Sequence, residues 1–182
     1  MSVLLFVVRM SSTQMKFTNP TIIFERKAPR LNSRLLSSFV LKASYAAGLR
    51  GAVSILITGN SNIRQLNSRF RGKNQPTDVL SFPAALPANG FAGDIAVSLD
   101  VAASNARLLG HSVSDEIRIL ILHGILHLAG YDHESDWGEM AEKEIQLRRR
   151  FALPTGLIER SSHRATHNKP AKAAPLLARS PR

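Results

Sequence analysis

The alternation of apolar and polar positions predicts short strands interleaved with helices. The strand candidates are runs rich in Val, Ile and Phe that end at Gly, Pro or polar residues; they cover residues 21–25, 52–58, 77–83 and 93–98. The helix candidates carry apolar residues three or four positions apart; they cover 31–48, 61–70, 99–109, the stretch from Ser112 to Gly130, and 136–151. This order predicts an α+β fold with a small mixed sheet of about four strands.

The stretch from Ser112 to Gly130 is predicted to be the central helix of the fold. Ser112 and Asp115 have the spacing of a capping box, and Gly130 is a typical helix stop. Between them the run IRILILHGILHLA is apolar on nearly every side, which predicts a buried helix. The last helix should begin near Asp136, with Glu139 completing its cap.

The length of 182 residues fits one domain with flanking segments. We predict a domain over residues 21–153, preceded by an extension over 1–20 whose true start could equally be Met10 or Met15. Residues 154–182 are rich in Pro, Ala, Ser and basic residues, which predicts a disordered tail. The apolar run VLLFVV is far shorter than the roughly 20 residues of a membrane span. We therefore expect a cytoplasmic protein with no membrane partner.

The charge of the chain favours a polyanionic partner. The formal net charge is +11 and the sequence pI is about 11.1. Residues 154–182 contribute +5 of this charge, which leaves +6 on the rest. A basic domain with a basic tail favours nucleic acid, and the tail should add RNA affinity that falls with salt. The chain has no cysteine, so any metal would be held by His, Asp or Glu.

The stretch HGILHLAGYDH has the spacing of a metal site. His123 and His127 lie four apart, which places both imidazoles on one face of a helix. A turn at Gly130 can return His133 to the same point. Three neutral imidazoles leave one coordination position open, as catalytic zinc sites do. The remaining histidines stand alone in a loop or in the tail and are interpreted as incidental: His111, His163 and His167.

The same stretch differs from the metzincin pattern H-E-x-x-H-x-x-G-x-x-H at one fixed position, where Gly124 replaces the glutamate. That glutamate is the general base of a metallopeptidase. Its absence disfavours peptide hydrolysis and leaves phosphodiester cleavage open, because a cation can stabilise the charge of that transition state. Arg69, Arg71 and Lys73, predicted on a loop between a helix and a strand, can supply such a cation.

Together with LNSRFRGKNQPTDVLSFP and GDIAVS, the histidine stretch resembles the YbeY family of bacterial endoribonucleases, which act in ribosomal RNA maturation. The resemblance spans Ile22 to Phe151. It implies one Zn²⁺ ion and RNA of the ribosome as partner, while the oligomeric state stays open. The resemblance implies that the zinc ligands are His123, His127 and His133. It also implies that Arg71 and His123 are catalytic and that Arg71 binds the substrate. Lys73, from the basic loop, is added as a second substrate-binding residue.

The predicted function is therefore a single-strand-specific, metal-dependent endoribonuclease of ribosomal RNA maturation and ribosome quality control. A ribosome-assembly factor that binds RNA and carries a structural zinc is the alternative, and a zincin-like peptidase is a further one. Asp132 could orient the metal ligands or form a turn. Asp94 could orient the metal ligands or support the structure. Tyr131 could pack in the core or line the site.

Overall fold

Four strands form one mixed sheet in the order β1-β2-β4-β3. The computed structural model describes residues 19–28, 31–85, 90–133 and 135–155. Strands β1, β2 and β4 are parallel, and β3 pairs antiparallel with β4 at one edge. The predicted α+β fold with a small mixed sheet is thereby confirmed. The strands are β1 Thr21–Phe24, β2 Ala52–Thr58, β3 Val79–Pro83 and β4 Phe91–Ser98.

The helices that accompany the sheet begin and end close to the predicted positions. Asn32 caps the first of them, because its side-chain oxygen accepts from the backbone N–H of Leu35 at 3.1 Å. Ser112 caps the fourth in the same way, with Asp115 N–H as donor at 3.0 Å. The helices are α1 Ser33–Ala47, α2 Asn60–Arg71, α3 Leu99–Leu109, α4 Val113–Leu128 and α5 Glu139–Arg150.

The start of α5 differs from the prediction, which placed it near Asp136. The Asp136 carboxylate accepts from the backbone N–H groups of Gly138 and Met140, each at 2.9 Å. It therefore caps the helix from outside, and Glu139 is the first helical residue rather than part of the cap. Strand β4 also begins earlier than predicted, at Phe91, because pairing with β2 continues to Ala52.

The sheet separates α2 from α4. Ile63 of α2 packs with Leu80 and Ala96 on one face of the sheet. Gly124 of α4 lies against Ser81 and Ile95, the next residues along the same two strands. Because neighbouring residues of a strand point to opposite faces, α2 and α4 cover opposite sides of the sheet.

Helix α4 is the centre of the main hydrophobic core, as predicted. It packs against α1, α3 and α5 as well as β3 and β4. Ten of its residues are buried, and these include the polar residues Glu116 and His123. A helix buried on nearly all sides has little freedom to rotate, so the direction of each of its side chains is fixed by packing.

A polar network joins the carboxyl ends of the parallel strands. Arg26, which follows β1, forms an ion pair with Asp100 at 2.5 Å. The second oxygen of Asp100 accepts from the backbone N–H of Asn60 at 2.9 Å, where α2 begins. The side chain of Asn60 in turn accepts from Ser98 Oγ at 2.8 Å. These bonds tie three strand ends and two helix starts together.

The predictions for the flanking segments concern residues that the structure does not describe. The proposed extension lies almost wholly within residues 1–18, and the proposed tail almost wholly within 156–182. Both remain predictions, as does the domain boundary at 153. None of the helices in the described part of the chain is long and apolar enough to cross a membrane.

Candidate metal centre

Helix α4 presents two histidines on one face. The ring centroids of His123 and His127 lie 4.7 Å apart, and their Nε2 atoms approach to 3.1 Å. Their separation of four residues places them one turn apart, so both Nε2 atoms point to the same side of the helix. The predicted pairing of these imidazoles is therefore present.

The turn after α4 brings the third histidine to the pair. Gly130 has a φ of +93°, its N–H bonds to the carbonyl of His127 at 3.0 Å, and the N–H of Tyr131 bonds to the carbonyl of Leu126 at 3.1 Å. This is a Schellman motif, which ends the helix and reverses the chain. The ring of His133 consequently lies 5.3 Å from His123 and 5.2 Å from His127, measured between centroids.

The three rings form a compact cluster of donor atoms. One nitrogen from each of His123, His127 and His133 lies within 4.8 Å of the others, close enough to share one metal ion. His123 is buried, His127 is half-buried and His133 is exposed. The cluster is thus anchored in the core at one end and reaches the surface at the other.

Glu144, a residue that sequence reasoning missed, orients the first of these ligands. Its carboxylate lies 3.0 Å from Nδ1 of His123, and both side chains are almost fully buried. The contact directs the opposite ring nitrogen, Nε2, toward His127. A metal-binding histidine usually donates its other ring N–H to a carboxylate, a backbone carbonyl or water. The available signal was an acidic residue between Met140 and Leu147 on the buried side of α5.

The electrostatics of the cluster suit a metal cation. Burial, followed by the charges of His123 and His133, lowers the pKa of His127 from 6.5 to about 4, against a smaller opposing effect of Asp132. His127 is therefore neutral near pH 7, which is the form that binds metals. Three imidazoles without a thiolate or carboxylate suit zinc and several other transition metals. The residues present thus fit a divalent ion.

Gly124, between the two helical ligands, faces the sheet. A Cβ atom there would lie 2.9 Å from Cγ2 of Ile95 and 3.0 Å from Oγ of Ser81. A larger residue would therefore push α4 away from β3 and β4. The glycine in place of a glutamate is thus explained by close packing of helix on sheet, which sequence reasoning did not anticipate.

The predicted cations lie on α2 and beyond it. Arg69 and Arg71 lie in α2, of which Arg71 is the last residue, whereas Lys73 lies in the loop after it. The predicted helix over 61–70 is therefore right for Arg69, and the loop prediction holds for Lys73 alone. All three are exposed. Within the described residues, the Arg71 side chain makes no hydrogen bond or ion pair, and Arg71 lies on the α2 side of the sheet. The histidines and the cations are therefore on opposite faces.

Both groups nevertheless lie at the same end of the sheet. Phe70, next to Arg71, packs edge-on against Phe82 at 5.0 Å between ring centroids. Leu128, next to His127, approaches Gly93, which pairs with Pro83. Strand β3 is an edge strand of the sheet. The direct route from Arg71 to the histidine cluster therefore passes over the end of β3 at Phe82–Pro83.

Asp94 and Asp132, the two aspartates that could orient the metal ligands, lie in different surroundings. Asp94 lies on β4 next to Ile95 and points to the α2 face, which favours the structural role over the orienting one. Partial withdrawal from water raises the pKa of Asp94, opposed by a hydrogen bond from Ser54. Asp132 accepts from Ser135 Oγ at 2.8 Å, which supports the turn-forming role.

Tyr131 and His111 both have structural contacts outside the histidine cluster. Tyr131 packs against the main hydrophobic core, which favours packing over lining the site. The interpretation of His111 as incidental is wrong, because its Nε2 lies 2.7 Å from the carboxylate of buried Glu116. That carboxylate also accepts from Asn105 at 3.2 Å, so the pair links α3 to α4. His163 and His167 lie outside the described residues.

The chain is similar to known proteins over most of its length. The family model for endoribonuclease YbeY matches residues 14–152. An endoribonuclease YbeY of Koribacter versatilis is 51% identical over 153 residues, which cover 84% of this chain and 95% of the relative. One from Solibacter usitatus is 43% identical over 140 residues, covering 77% and 93%.

Similarity extends to a solved structure. The solution structure of TM1509 from Thermotoga maritima covers 84% of this chain and 99% of its own, with a TM-score of 0.54 and 29% sequence identity. The resemblance drawn from three sequence blocks is therefore confirmed by matches that span the sheet, α4 and α5. The chain belongs to the endoribonuclease YbeY family.

Proposed function

We propose that the chain is a zinc-dependent endoribonuclease that cleaves single-stranded RNA and acts in ribosomal RNA maturation in the cytoplasm. The observation that carries this proposal is the cluster of His123, His127 and His133, with donor atoms within 4.8 Å of one another. Its relatives bear the name endoribonuclease, which supports RNA as the substrate.

The histidines would hold the ion, and the groups around them would affect how tightly they bind it. Glu144 fixes the ring of His123, and the low pKa of His127 keeps that ligand unprotonated near pH 7. When bound, the ion supplies Lewis acidity toward a phosphoryl oxygen and toward water. His123 would be the innermost ligand, which is why we assign it a catalytic role.

Arg71 would hold the scissile phosphate, and Lys73 would position the neighbouring backbone. A guanidinium can bind a phosphate through two parallel hydrogen bonds, whereas an ammonium acts as a point charge. Both side chains are exposed and are therefore open to a ligand. A single strand is the suitable substrate, since its backbone can bend over β3 to contact both faces, whereas a duplex is stiff.

A second candidate is an RNA-binding factor of ribosome assembly in which zinc is structural. The exposed side chains of Arg71 and Lys73 are compatible with this candidate, because they could bind RNA without catalysis, but the relatives' name endoribonuclease supports cleavage. The peptidase alternative receives no such support. Position 124 faces the sheet, and the carboxylate of Glu144 is engaged by His123.

The decisive experiment combines metal analysis with RNA cleavage. Purified wild-type protein should contain about one zinc per chain and cut a single-stranded RNA but not the matching duplex. His123→Ala should lose both zinc and cleavage. Arg71→Ala should keep zinc and fold but lose cleavage, whereas Arg34→Ala, an exposed change on α1, should keep all three.

Two outcomes would decide against the proposal. If His123→Ala loses zinc yet cuts RNA at the wild-type rate, the cluster is not the active site. If Arg71→Ala binds RNA less tightly while zinc-loaded wild type cuts nothing, the assembly-factor candidate is favoured instead.

A further inference from the structure

Helix α2 and the loop after it carry a group of cationic side chains that form no ion pair within the described residues. Residues 60–77 contain four cationic side chains and no acidic one. Arg26 and Arg118 elsewhere are paired with aspartates, whereas the cations of α2 form no ion pair within the described residues. Their charge is thus available to an external anion. These cations, all exposed, are Arg64, Arg69, Arg71 and Lys73.

The spacing of the cations on α2 fits a chain of phosphates. Ile63 and Leu66 face the sheet, which directs Arg64 and Arg71 to one exposed flank of the helix. These two arginines are seven residues apart, so they lie on nearly the same side, about 10.5 Å apart along the axis. Side chains at that distance would contact different phosphates of one strand.

The loop after α2 is held in place, which keeps Lys73 beside Arg71. The Asn67 side chain, only 4% exposed, donates to the carbonyl of Gln75 at 2.8 Å. The Asn67 carbonyl also accepts from the backbone N–H of Lys73 at 3.3 Å. A loop fixed at two points can present a cation without first losing conformational entropy.

We propose that α2 is a binding surface for the RNA backbone, distinct from the phosphate position beside Arg71. The strand would run along Arg64 and Arg71, cross the edge strand β3 at Phe82–Pro83, and reach the histidines on the other face. RNA is favoured over an acidic protein because two arginines about 10.5 Å apart on one flank can contact different phosphates of one backbone. This inference rests on the proposed function, and it adds a minimum substrate length to it.

The test compares Arg64→Gln with Arg34→Gln. Each variant removes one exposed helical charge, but Arg34 belongs to α1, on the opposite face of the sheet from α2. Binding of zinc-loaded protein is measured against salt with uncleavable oligothymidylates of about 4 and about 16 nucleotides, the range of single-strand site sizes. Cleavage is measured with oligouridylates of the same lengths, and circular dichroism checks the fold.

On the longer oligomer, Arg64→Gln should lower the salt slope by about 0.7, the contribution of one phosphate contact. A fourfold rise in salt would then cost wild type about 2.6 times more affinity than the variant. Arg34→Gln should leave the slope unchanged, and Arg64→Lys should restore it. On the shorter oligomer, Arg64→Gln and Arg34→Gln should behave alike in cleavage, because a short strand held at the histidines does not reach Arg64.

The outcomes separate this inference from the proposed function. Equal slopes for Arg64→Gln and Arg34→Gln on the longer oligomer, with RNA still cut, would overturn the α2 surface and leave the nuclease intact. A reduced slope for Arg64→Gln without any cleavage by wild type would support the surface and overturn the nuclease. A fall in the cleavage rate for Arg64→Gln that is equal on both oligomers would also overturn the predicted crossing of β3.

Discussion

The carboxylate of Glu144 on α5 lies 3.0 Å from Nδ1 of His123 on α4, and both groups are buried. The contact joins two helices through a candidate metal ligand. It fixes the ring in the orientation that turns Nε2 toward the other histidines. A metal ligand held in this way loses little freedom when the ion binds.

Glu144→Gln should weaken zinc binding about 10- to 100-fold, the usual effect of altering a partner of a metal-binding histidine. Glu144→Ala should weaken it further, because Nδ1 is then left without this acceptor. Zinc affinity can be measured by competition with a coloured chelator. Glu142→Gln, an exposed change on the same helix, is the matched control. Equal affinities for Glu144→Gln and Glu142→Gln would contradict an orienting role.

Zinc should raise the stability of the folded chain. The three histidines converge only when α4 and its following turn are formed, so the ion binds the folded state in preference to the unfolded one. At a zinc concentration of 100 Kd the gain is about 2.7 kcal/mol, seen as a higher Tm that a chelator reverses. His133→Ala should lose most of this response. His163→Ala, which lies beyond the family match, should retain it.

Gly124→Ala should destabilise the protein by about 1–3 kcal/mol, the usual cost of overpacking. The added methyl group would meet Ile95 at 2.9 Å. Chemical denaturation of the metal-free protein measures the loss without interference from zinc. Combining the change with Ile95→Ala should cost less than the two single changes added together. Strict additivity would mean that the helix moves aside freely.

Asp100→Asn should change how stability depends on acid. The hydrogen bond from the Asn60 backbone, followed by Arg26, lowers the pKa of Asp100 below 3.8, against partial desolvation. A depressed folded-state pKa gives stability that is present above about pH 4 and is lost as the pH falls further. At this partly exposed site the gain is about 0.5–1 kcal/mol.

Denaturation of wild type and Asp100→Asn across the acid range gives the measurement. The variant should be less stable near neutral pH, and the difference should shrink below about pH 4. A difference that stays constant down to pH 2 would show that the charge of Asp100 is not responsible.

Local pattern predicted the elements and the histidine cluster. His123, His127, Gly130 and His133 fall within eleven residues, and the helix period with a Schellman turn is enough to bring three rings together. The four strand candidates, which end at Gly, Pro or polar residues, correspond to the four strands of the sheet. Features that depend on residues close together in the sequence can therefore be predicted from it.

Features that depend on residues far apart in the sequence cannot be predicted in this way. The contact of Glu144 with His123 spans 21 positions and depends on how α5 packs on α4. The fit of Gly124 against Ile95 depends on the distance between helix and sheet. The side of the sheet on which Arg71 lies depends on how the chain crosses from β2 through α2 to β3. In each case the tertiary packing adds information that no local pattern contains.

The graded exposure of the histidines gives the site a direction. His123 is closed off by the core, whereas His133 stands at the surface, so solutes reach the cluster from the His133 side. An ion entering the cluster and a nucleotide approaching it would use the same opening. Exchange of the ion with solution should therefore slow when that opening is covered, which makes the rate of metal loss a measure of substrate occupancy.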